Sequence, residues 1–440
     1  MTEEMQVPED KSPKKRTRNR NARIILTVTA IILLLMIVAA CALLGSLLGI
    51  FGNETDDTGE IGWIRSIYSI GPNIEDQISP ARAAVGPGGN HFYITDQGNA
   101  RIIRLTPNFQ VDGVFYEANT NGGAYDGTYM PFYFPSGIAV AQDNGDIIVT
   151  RMTYGDFWVM NSSMELQFIR RFPEPSAVAV NRDMIVVGGI GGFAAYERDG
   201  TPIGLIGFSN ATSEPDGFDY INGLALDTNN NVYVVDTYNT RLSKYDNVGN
   251  QVWLQEIGPP RNRGIDSNKG LDAAQLAELY PGMAQMPMQM TIDGAGRLVL
   301  IDFHDFTVQA YSPEDGSFLG KWGVFGSGDG QIYYASGIAY DAAQDAFILT
   351  DTGVGRAQLI TVPGSGGNLI TGLNRALRGP LSMCLIPLLI IILGLIAYTI
   401  LRSTQKRRER LQLEQAIAAS GADELMSADV ISDGGVGAKT

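Results

Sequence analysis

Few residues of this chain have the types and spacing that catalysis requires. The 440 residues include two histidines, His91 and His304, and no Ser–His–Asp set, phosphate-cradling glycine loop or pair of catalytic carboxylates stands out. Catalytic zinc usually needs three protein ligands. The strand pattern described below places the two histidines in turns on opposite faces, so they cannot share a metal. The sequence therefore predicts no catalytic residue, no metal and no cofactor.

A recurring pair of opposite charges is the most regular chemical pattern. In three places an aspartate precedes an arginine by five residues across a short turn, and in a fourth place the two types are exchanged. Antiparallel pairing of the flanking strands would bring these side chains together, where opposite charges stabilise a hairpin modestly. An exchange that preserves complementarity favours a structural ion pair over a ligand site. The predicted pairs are Asp96 with Arg101, Arg151 with Asp156, Asp236 with Arg241, and Asp351 with Arg356, whereas Gly189 with Ala194 and Asp302 with Thr307 depart from the pattern.

These pairs belong to a strand pattern that occurs six times. Its clearest copy has apolar runs at 220–226, 232–236 and 241–245, separated by turn residues. One copy cannot bury its apolar faces alone, and periodic short strands of this kind indicate a propeller. Small and β-branched residues dominate the first strand of each copy, as expected near a ring axis. These inner strands are predicted at Pro80–Val85, Pro135–Val140, Pro175–Val180, Ile221–Leu226, Pro287–Ile292 and Ala335–Tyr340.

The ring is expected to close through the N-terminal end of the repeat region. The sixth copy ends at Val362 with three strands, and the apolar segment Trp63–Ile70 resembles the outer strand Phe318–Trp322 of the fifth copy. Pairing of this segment with the sixth copy would complete the last blade and remove an open edge. Both ends of the domain would then lie at one blade, and we expect their linkers to lead to two neighbouring helices.

Three segments of the repeats resemble a known family. Phe325–Asp341 resembles the hallmark of NHL repeats, and Asp236–Arg241 and Asp351–Arg356 resemble the Asp-x-x-Asn-x-Arg segment of that family. The resemblance extends over residues 61–362. It implies an all-β fold, a six-bladed β-propeller of NHL type with a central channel. Propellers host many functions, so the resemblance does not by itself assign one.

Two enzyme classes on this fold require residues that the sequence lacks. Amidating lyases similar to NHL propellers hold zinc with three histidines, and this chain has two in total. Gluconolactonase-type propellers hold a divalent cation through carboxylate and amide oxygens at the channel mouth. The Asp- and Asn-rich segments 143–146 and 227–231 are typical of turns between strands instead. The predicted channel-facing residues include no acid and are Arg82, Ser136, Ser176, Asn222, Gln289 and Ser336.

Two uncharged apolar segments flank the repeats. Each is long enough for a transmembrane helix, which needs about 20 apolar residues. Basic residues precede the first segment and follow the second, so both termini are predicted in the cytoplasm of an integral plasma or inner membrane protein, with the repeats outside. The predicted organisation is a basic cytoplasmic tail (1–23), a transmembrane helix (24–51), a linker (52–60), the propeller (61–363), a linker (364–380), a second transmembrane helix (381–401) and a cytoplasmic tail with a short helix and a disordered end (402–440).

The two cysteines, Cys41 and Cys384, both fall within these apolar segments, so the propeller is predicted to lack a disulfide. The segment Val38–Cys41 also resembles a bacterial lipobox, which makes lipidation of Cys41 the alternative to a first membrane span. The ten residues after Cys41 stay apolar, whereas a mature lipoprotein usually turns polar there. This favours the span.

Two connections between repeats are longer than a turn requires. They lie at 116–134 and 258–286 and join an outer strand to the next inner strand, so both should lie on one face. They contain Tyr, Met and Arg, the residues enriched at protein interfaces. Packing of the two connections on each other is the alternative. The candidate binding residues are Tyr116, Tyr125, Tyr129, Phe132, Tyr133, Arg261, Arg263, Tyr280, Met283 and Met286.

The charge of the repeats argues against nucleic acid as a partner. From Glu60 to Pro363, 17 Lys and Arg oppose 34 Asp and Glu, a net of −17, whereas phosphate binding needs a basic face. We expect a membrane-anchored, extracytoplasmic, non-enzymatic protein-binding or scaffold module, with a cell-envelope protein as its partner. The alternatives are an enzyme of lyase or lactonase type and a ligand sensor that signals through the paired helices. The oligomeric state is left open.

Overall fold

A computed structural model of the chain describes residues 60–120, 130–207, 212, 217–259, 271–366, 394 and 397–416. Within these ranges, 24 β-strands form six four-stranded antiparallel sheets. Each sheet is one blade of a β-propeller, with an inner strand near the axis and an outer strand at the rim. The predicted all-β, six-bladed propeller is confirmed.

Each of the first five blades consists of four consecutive strands, which follow one another from the axis to the rim. Blade 1 contains β2 (Arg82–Val85), β3 (Phe92–Asp96), β4 (Arg101–Leu105) and β5 (Val111–Phe115). Blade 2 contains β6 (Gly137–Val140), β7 (Ile147–Arg151), β8 (Asp156–Met160) and β9 (Leu166–Arg171). Blade 3 contains β10 (Pro175–Val180), β11 (Met184–Gly189), β12 (Gly192–Glu197) and β13 (Pro202–Gly207).

The remaining strands form the blades that complete the ring. Blade 4 contains β14 (Ile221–Leu226), β15 (Val232–Asp236), β16 (Arg241–Tyr245) and β17 (Gln251–Glu256). Blade 5 contains β18 (Pro287–Ile292), β19 (Leu298–Asp302), β20 (Thr307–Tyr311) and β21 (Phe318–Trp322). Blade 6 contains β22 (Ala335–Asp341), β23 (Ala346–Asp351), β24 (Arg356–Thr361) and the N-terminal strand β1 (Gly62–Ile67).

Blade 6 joins the two ends of the propeller. Strand β1 pairs antiparallel with β24, from Gly62 opposite Thr361 to Ile67 opposite Ala357, with one irregularity between Trp63 and Arg65. The sequence predicted this closure, and the observed strand begins one residue before the predicted segment and ends three residues earlier than Ile70. Closure leaves blade 6 with an outer strand like every other blade.

Apolar packing holds neighbouring blades together. The buried apolar residues form six clusters, and each cluster combines side chains from two adjacent blades. One of them joins Ile94 and Ile103 of blade 1 to Ile348 and Leu359 of blade 6, across the point where the chain closes. Since every blade buries both of its faces, single blades have no core of their own, as expected for a propeller.

The antiparallel order of the strands defines two faces of the propeller. We call the side that carries the outer-to-inner connections and the turns between second and third strands the connection face. The opposite side, which we call the terminal face, carries the turns between first and second and between third and fourth strands. Gly62 and Thr361 are paired at this second side, so the chain enters and leaves the propeller there.

Two helical segments lie outside the blades. Helix α1 (Ala273–Leu279) belongs to the connection between blades 4 and 5, where a short helix was predicted, and the carboxylate of Asp272 caps it by accepting from the backbone N–H groups of Ala274 and Gln275. Residues 397–416 are also helical. No helix among the described residues has the length and apolar character of a membrane span. The predicted spans at 24–51 and 381–401 lie outside the described residues, except for 394 and 397–401.

Candidate functional site

The four predicted Asp–Arg pairs all form ion pairs on the connection face. Each lies in the turn between the second and third strands of its blade. The closest nitrogen–oxygen distances are 2.5 Å for Arg101 and Asp96, 2.7 Å for Arg151 and Asp156, 3.1 Å for Arg241 and Asp236, and 2.8 Å for Arg356 and Asp351. All eight side chains are at most 10% exposed. They are therefore not free to bind a ligand from solvent.

These pairs fasten the incoming connection to the blade. The Arg356 guanidinium donates to the carbonyl oxygens of Ser327, Gly328 and Gln331, at 2.7, 2.8 and 2.7 Å. The Asp351 carboxylate accepts from the backbone N–H of Tyr333 at 3.1 Å. Because the other pairs contact their own connections in the same way, the pairs act as clamps between a hairpin and the chain that arrives from the preceding blade.

The two blades that depart from the pattern do so for different reasons. In blade 3, a Cβ atom at Gly189 would lie 2.5 Å from the carbonyl oxygen of Glu174, so no aspartate fits there. In blade 5, Asp302 has no arginine opposite it and accepts instead from the backbone N–H groups of Gln285, Met286, His304 and Asp305. Burial raises the pKa of the Asp302 carboxyl.

The clamp of blade 6 makes a testable prediction about pH. Burial raises the pKa of the Asp351 carboxyl to about 6, because desolvation outweighs the hydrogen bond and the charge of Arg356. A carboxyl whose pKa is raised by folding contributes stability at low pH, and this contribution disappears as the pH rises through the folded-state value. We expect the unfolding free energy of the wild type to fall by about 2–3 kcal/mol, relative to Asp351→Asn, between pH 4 and pH 7.

Urea unfolding of both proteins across this pH range would measure the difference. The Asp351→Asn variant serves as the control because it cannot titrate at this position. Parallel pH profiles for the two proteins would contradict the prediction.

The channel is crossed by polar side chains. Arg82 donates from Nη1 to the carbonyl oxygen of Ser336 at 2.6 Å and from Nη2 to Oδ1 of Asn222 at 2.9 Å. Gln289 donates from Nε2 to the carbonyl oxygen of Ala83 at 2.8 Å. These contacts connect the inner strands of blades 1, 4, 5 and 6 across the ring. Three of the six predicted channel residues therefore fill the channel rather than line an open passage.

The three predicted channel serines join neighbouring inner strands instead. Ser136 Oγ donates to the carbonyl oxygen of Pro175 at 2.9 Å, and Ser336 Oγ donates to that of Ala81 at 2.6 Å. Ser176 Oγ donates to the carbonyl oxygen of Ile221 at 2.5 Å. Each serine is at most 8% exposed. Their hydroxyl groups are thus part of the contact between blades.

An apolar cavity of about 380 Å³ occupies the terminal-face end of the channel. All six inner strands contribute to its wall through short apolar side chains such as Ala84, Val140, Ala179 and Leu226. Gln289 lies at its inner end. The wall offers few polar groups, so the cavity lacks the convergent oxygen ligands that a hard divalent cation requires.

The two histidines lie on opposite faces, as the strand pattern indicated. His91 is in a turn of the terminal face with Nε2 3.3 Å from the Asp112 carboxylate, and burial lowers its pKa together with the charge of Arg104, against the effect of Asp112. His304 is on the connection face, where its ring contacts those of Phe303 and Tyr334. Among the described residues, no three His, Cys, Asp or Glu side chains are grouped so that they could hold a metal.

Exposed aromatic side chains gather on the connection face at blades 1 and 2. Tyr116 is 54% exposed, Tyr133 43%, Phe134 56% and Tyr154 43%. The rings of Tyr133 and Tyr154 stack with their centroids 6.0 Å apart, and the Arg151 guanidinium lies 4.5 Å from the centre of the Tyr154 ring. We call these four aromatic residues the aromatic patch. Its geometry suits the binding of a complementary surface, because rigid rings lose little conformational entropy on contact.

The structure divides the predicted binding residues into separate groups. Tyr116 and Tyr133 belong to the aromatic patch, whereas Phe132 is fully buried against Trp158 and Tyr280 is 4% exposed, so both stabilise their connections. Met283 and Met286 are partly buried. Tyr125, Tyr129, Arg261 and Arg263 lie outside the described residues. Tyr154 was not among the candidates, although its position in a turn on the same face was visible in the strand pattern.

The fold defines the protein as a six-bladed β-propeller with inter-blade clamps on one face. The family model for the NHL repeat matches residues 218–245, which include β14, β15, β16 and the clamp of Asp236 and Arg241. The predicted resemblance is confirmed: this is a β-propeller that contains an NHL repeat. No curated protein matches the chain.

Solved structures of virginiamycin B lyase from Staphylococcus aureus are similar to the chain at low sequence identity. A catalytically inactive variant with quinupristin has a TM-score of 0.43 and 12% identity, and the match covers 66% of this chain and 82% of that one. A selenomethionine-substituted form has a TM-score of 0.45 and 11% identity, with 68% and 98% covered. Neither match assigns an activity to this protein.

Proposed function

We propose that the protein is a membrane-anchored, extracytoplasmic propeller that binds a cell-envelope protein and acts as a non-enzymatic scaffold. The observation that carries this proposal is the aromatic patch on the connection face, where four large rings are between 43% and 56% exposed. Tyr and Phe with a neighbouring Arg form the centres of many protein interfaces, because their burial removes a large apolar area from water.

The path of the chain supports this choice of face. Both ends of the propeller leave from the terminal face, where Gly62 pairs with Thr361. The connection face therefore carries neither chain end, and a partner can approach it without meeting the segments that lead to the predicted membrane spans. The aromatic patch lies on this free face.

The charge of the propeller constrains the partner. Because residues 60–363 have a net charge of −17, a partner with basic residues around an apolar contact surface would associate faster and more selectively than a neutral one. The proposed partner is accordingly a folded envelope protein with an apolar site and a Lys- or Arg-rich rim.

The patch can be tested by substitution of its rings. The variant Tyr133→Ala/Phe134→Ala/Tyr154→Ala removes most of the exposed aromatic area without touching the Asp–Arg contact of Arg151. We expect crosslinking and co-purification from native membranes to recover at least tenfold less of the partner than with the wild type, since loss of a central interface residue typically costs more than about 1.4 kcal/mol of binding free energy.

A matched variant on another surface serves as the control. Ile203 and Leu205 on outer strand β13 are 52% and 62% exposed, so Ile203→Ala/Leu205→Ala removes comparable exposed apolar area away from the patch. This control should retain the partner. Equal recovery by the wild type and the triple variant would contradict the proposed site, and recovery of no partner by any form would contradict the scaffold function.

A further inference from the structure

Arg82 is a buried cation with an incomplete set of partners. It is 6% exposed inside the channel, and its two terminal nitrogens donate to neutral oxygens of Ser336 and Asn222. No described carboxylate forms an ion pair with it, and within the described part of the chain its Nε has no hydrogen-bond partner. An arginine of this kind differs from the clamp arginines, each of which faces an aspartate.

The positive charge at this position persists at neutral pH. Burial lowers the pKa of Arg82 to about 10, against the opposing effect of Tyr220, so the guanidinium remains protonated. A buried charge without a counter-charge is strongly unfavourable, and the penalty falls when an opposite charge comes into contact with it. The other inner-strand residues predicted to face the channel are Ser, Asn and Gln, which supply no such charge.

A small cavity adjoins this guanidinium. Its wall includes Arg82, Ser176, Asn222 and Gln289, and its volume is about 10 Å³. This is space for one particle of the size of a water molecule, which excludes sulfate, phosphate and carboxylates. Asn222 supplies a second donor, because the contact of its Nδ2 in the described structure is the Met288 sulfur at 3.6 Å.

The small cavity is connected by its walls to the larger one at the terminal face. Ile138, Val178, Leu224 and Gln289 line both cavities. A small solute that enters the 380 Å³ cavity can therefore reach Arg82 by displacement of side chains at a single boundary.

We propose that this cavity binds one monatomic anion, chloride in the cell, through the Nε–H of Arg82 and the Nδ2–H of Asn222. The bound anion balances the guanidinium and occupies donors that otherwise lack good acceptors. The net negative charge of the propeller repels anions in general, so binding depends on this one local cation and on the size of the cavity. The site is independent of the aromatic patch and of any partner.

Bromide provides a direct test, because it replaces chloride and scatters X-rays anomalously. In crystals of the full-length protein grown with sodium bromide, we expect an anomalous difference peak within hydrogen-bond distance of Arg82 Nε. An ordered water at that position without an anomalous signal would overturn the proposal.

Thermal unfolding of the full-length protein tests the same site in solution. At equal ionic strength, we expect sodium chloride to raise the Tm by roughly 3 °C over sodium gluconate when chloride exceeds its Kd tenfold. The variant Arg82→Gln should lose this difference, and Asn222→Ala should reduce it while keeping the guanidinium. Arg171→Gln is the matched control, since its side chain is 81% exposed and should leave the difference intact. Equal Tm values of the wild type in both salts would contradict the proposal.

Discussion

Removal of β1 is expected to convert the propeller into an unstable species that aggregates. A fragment of residues 68–366 lacks the outer strand of blade 6, so the backbone N–H and C=O groups of β24 that pair with β1 become unpaired. Ile64 and Ile67 also pack against the cluster between blades 1 and 6, and their burial contributes roughly 1.5–3 kcal/mol each at most. An open edge of this kind is a template for pairing with other chains.

Size-exclusion chromatography and thermal unfolding would measure this effect. The fragment 60–366 retains β1 and should elute as a single folded species, whereas 68–366 should elute in large assemblies or unfold roughly 10 °C lower, since the loss of several kcal/mol shifts the Tm by roughly 2–4 °C per kcal/mol. A synthetic peptide of residues 60–67 should restore the shorter fragment by strand addition. Equal elution and Tm for both fragments would show that β1 is not required for closure.

Replacement of Arg356 by methionine is expected to lower the unfolding free energy of the 60–366 fragment by about 3–5 kcal/mol at neutral pH. Arg356 is fully buried, and its guanidinium contacts Asp351 and three carbonyl oxygens of the connection between blades 5 and 6. Methionine leaves the Asp351 carboxylate buried without a cation and leaves those carbonyl groups without donors. Both changes are costly in a site that excludes water.

Urea unfolding of single and double variants would separate these terms. Asp351→Asn/Arg356→Met should recover part of the loss, because it removes the uncompensated charge. Arg171→Met is the control for the loss of an arginine at an exposed position, and we expect a change of less than about 0.5 kcal/mol there. A loss below about 1 kcal/mol for Arg356→Met would contradict a structural role for the clamp.

The repeated strands could be predicted closely because their pattern is local. The predicted inner strands Pro175–Val180, Ile221–Leu226 and Pro287–Ile292 agree with the observed β10, β14 and β18. The second strands were predicted one residue short at the end where the clamp aspartate lies, as at Asp236 and Asp351. There a polar residue closes the strand, and composition alone indicated a turn.

Contacts across the ring could not be predicted in the same way. Phe132 and Tyr133 are adjacent aromatic residues in one connection, but Phe132 is buried and Tyr133 is exposed because the connection folds back over Trp158. Arg82 was correctly expected in the channel. Its hydrogen bonds to residues 140 and 254 positions away depend on the diameter of the ring, which no local pattern specifies.

The pairing of the two chain ends also determines how the propeller responds to mechanical force. Gly62 and Thr361 form the first pair of the β1–β24 ladder, and the chain continues outward from both of them on the same side. A force that separates the flanking segments therefore loads one pair of residues at a time and opens the ladder like a zipper, rather than shearing all its hydrogen bonds together. Such a ladder yields at low force, so tension between the two ends would release the first strand and open the ring at blade 6 before any other blade is disturbed.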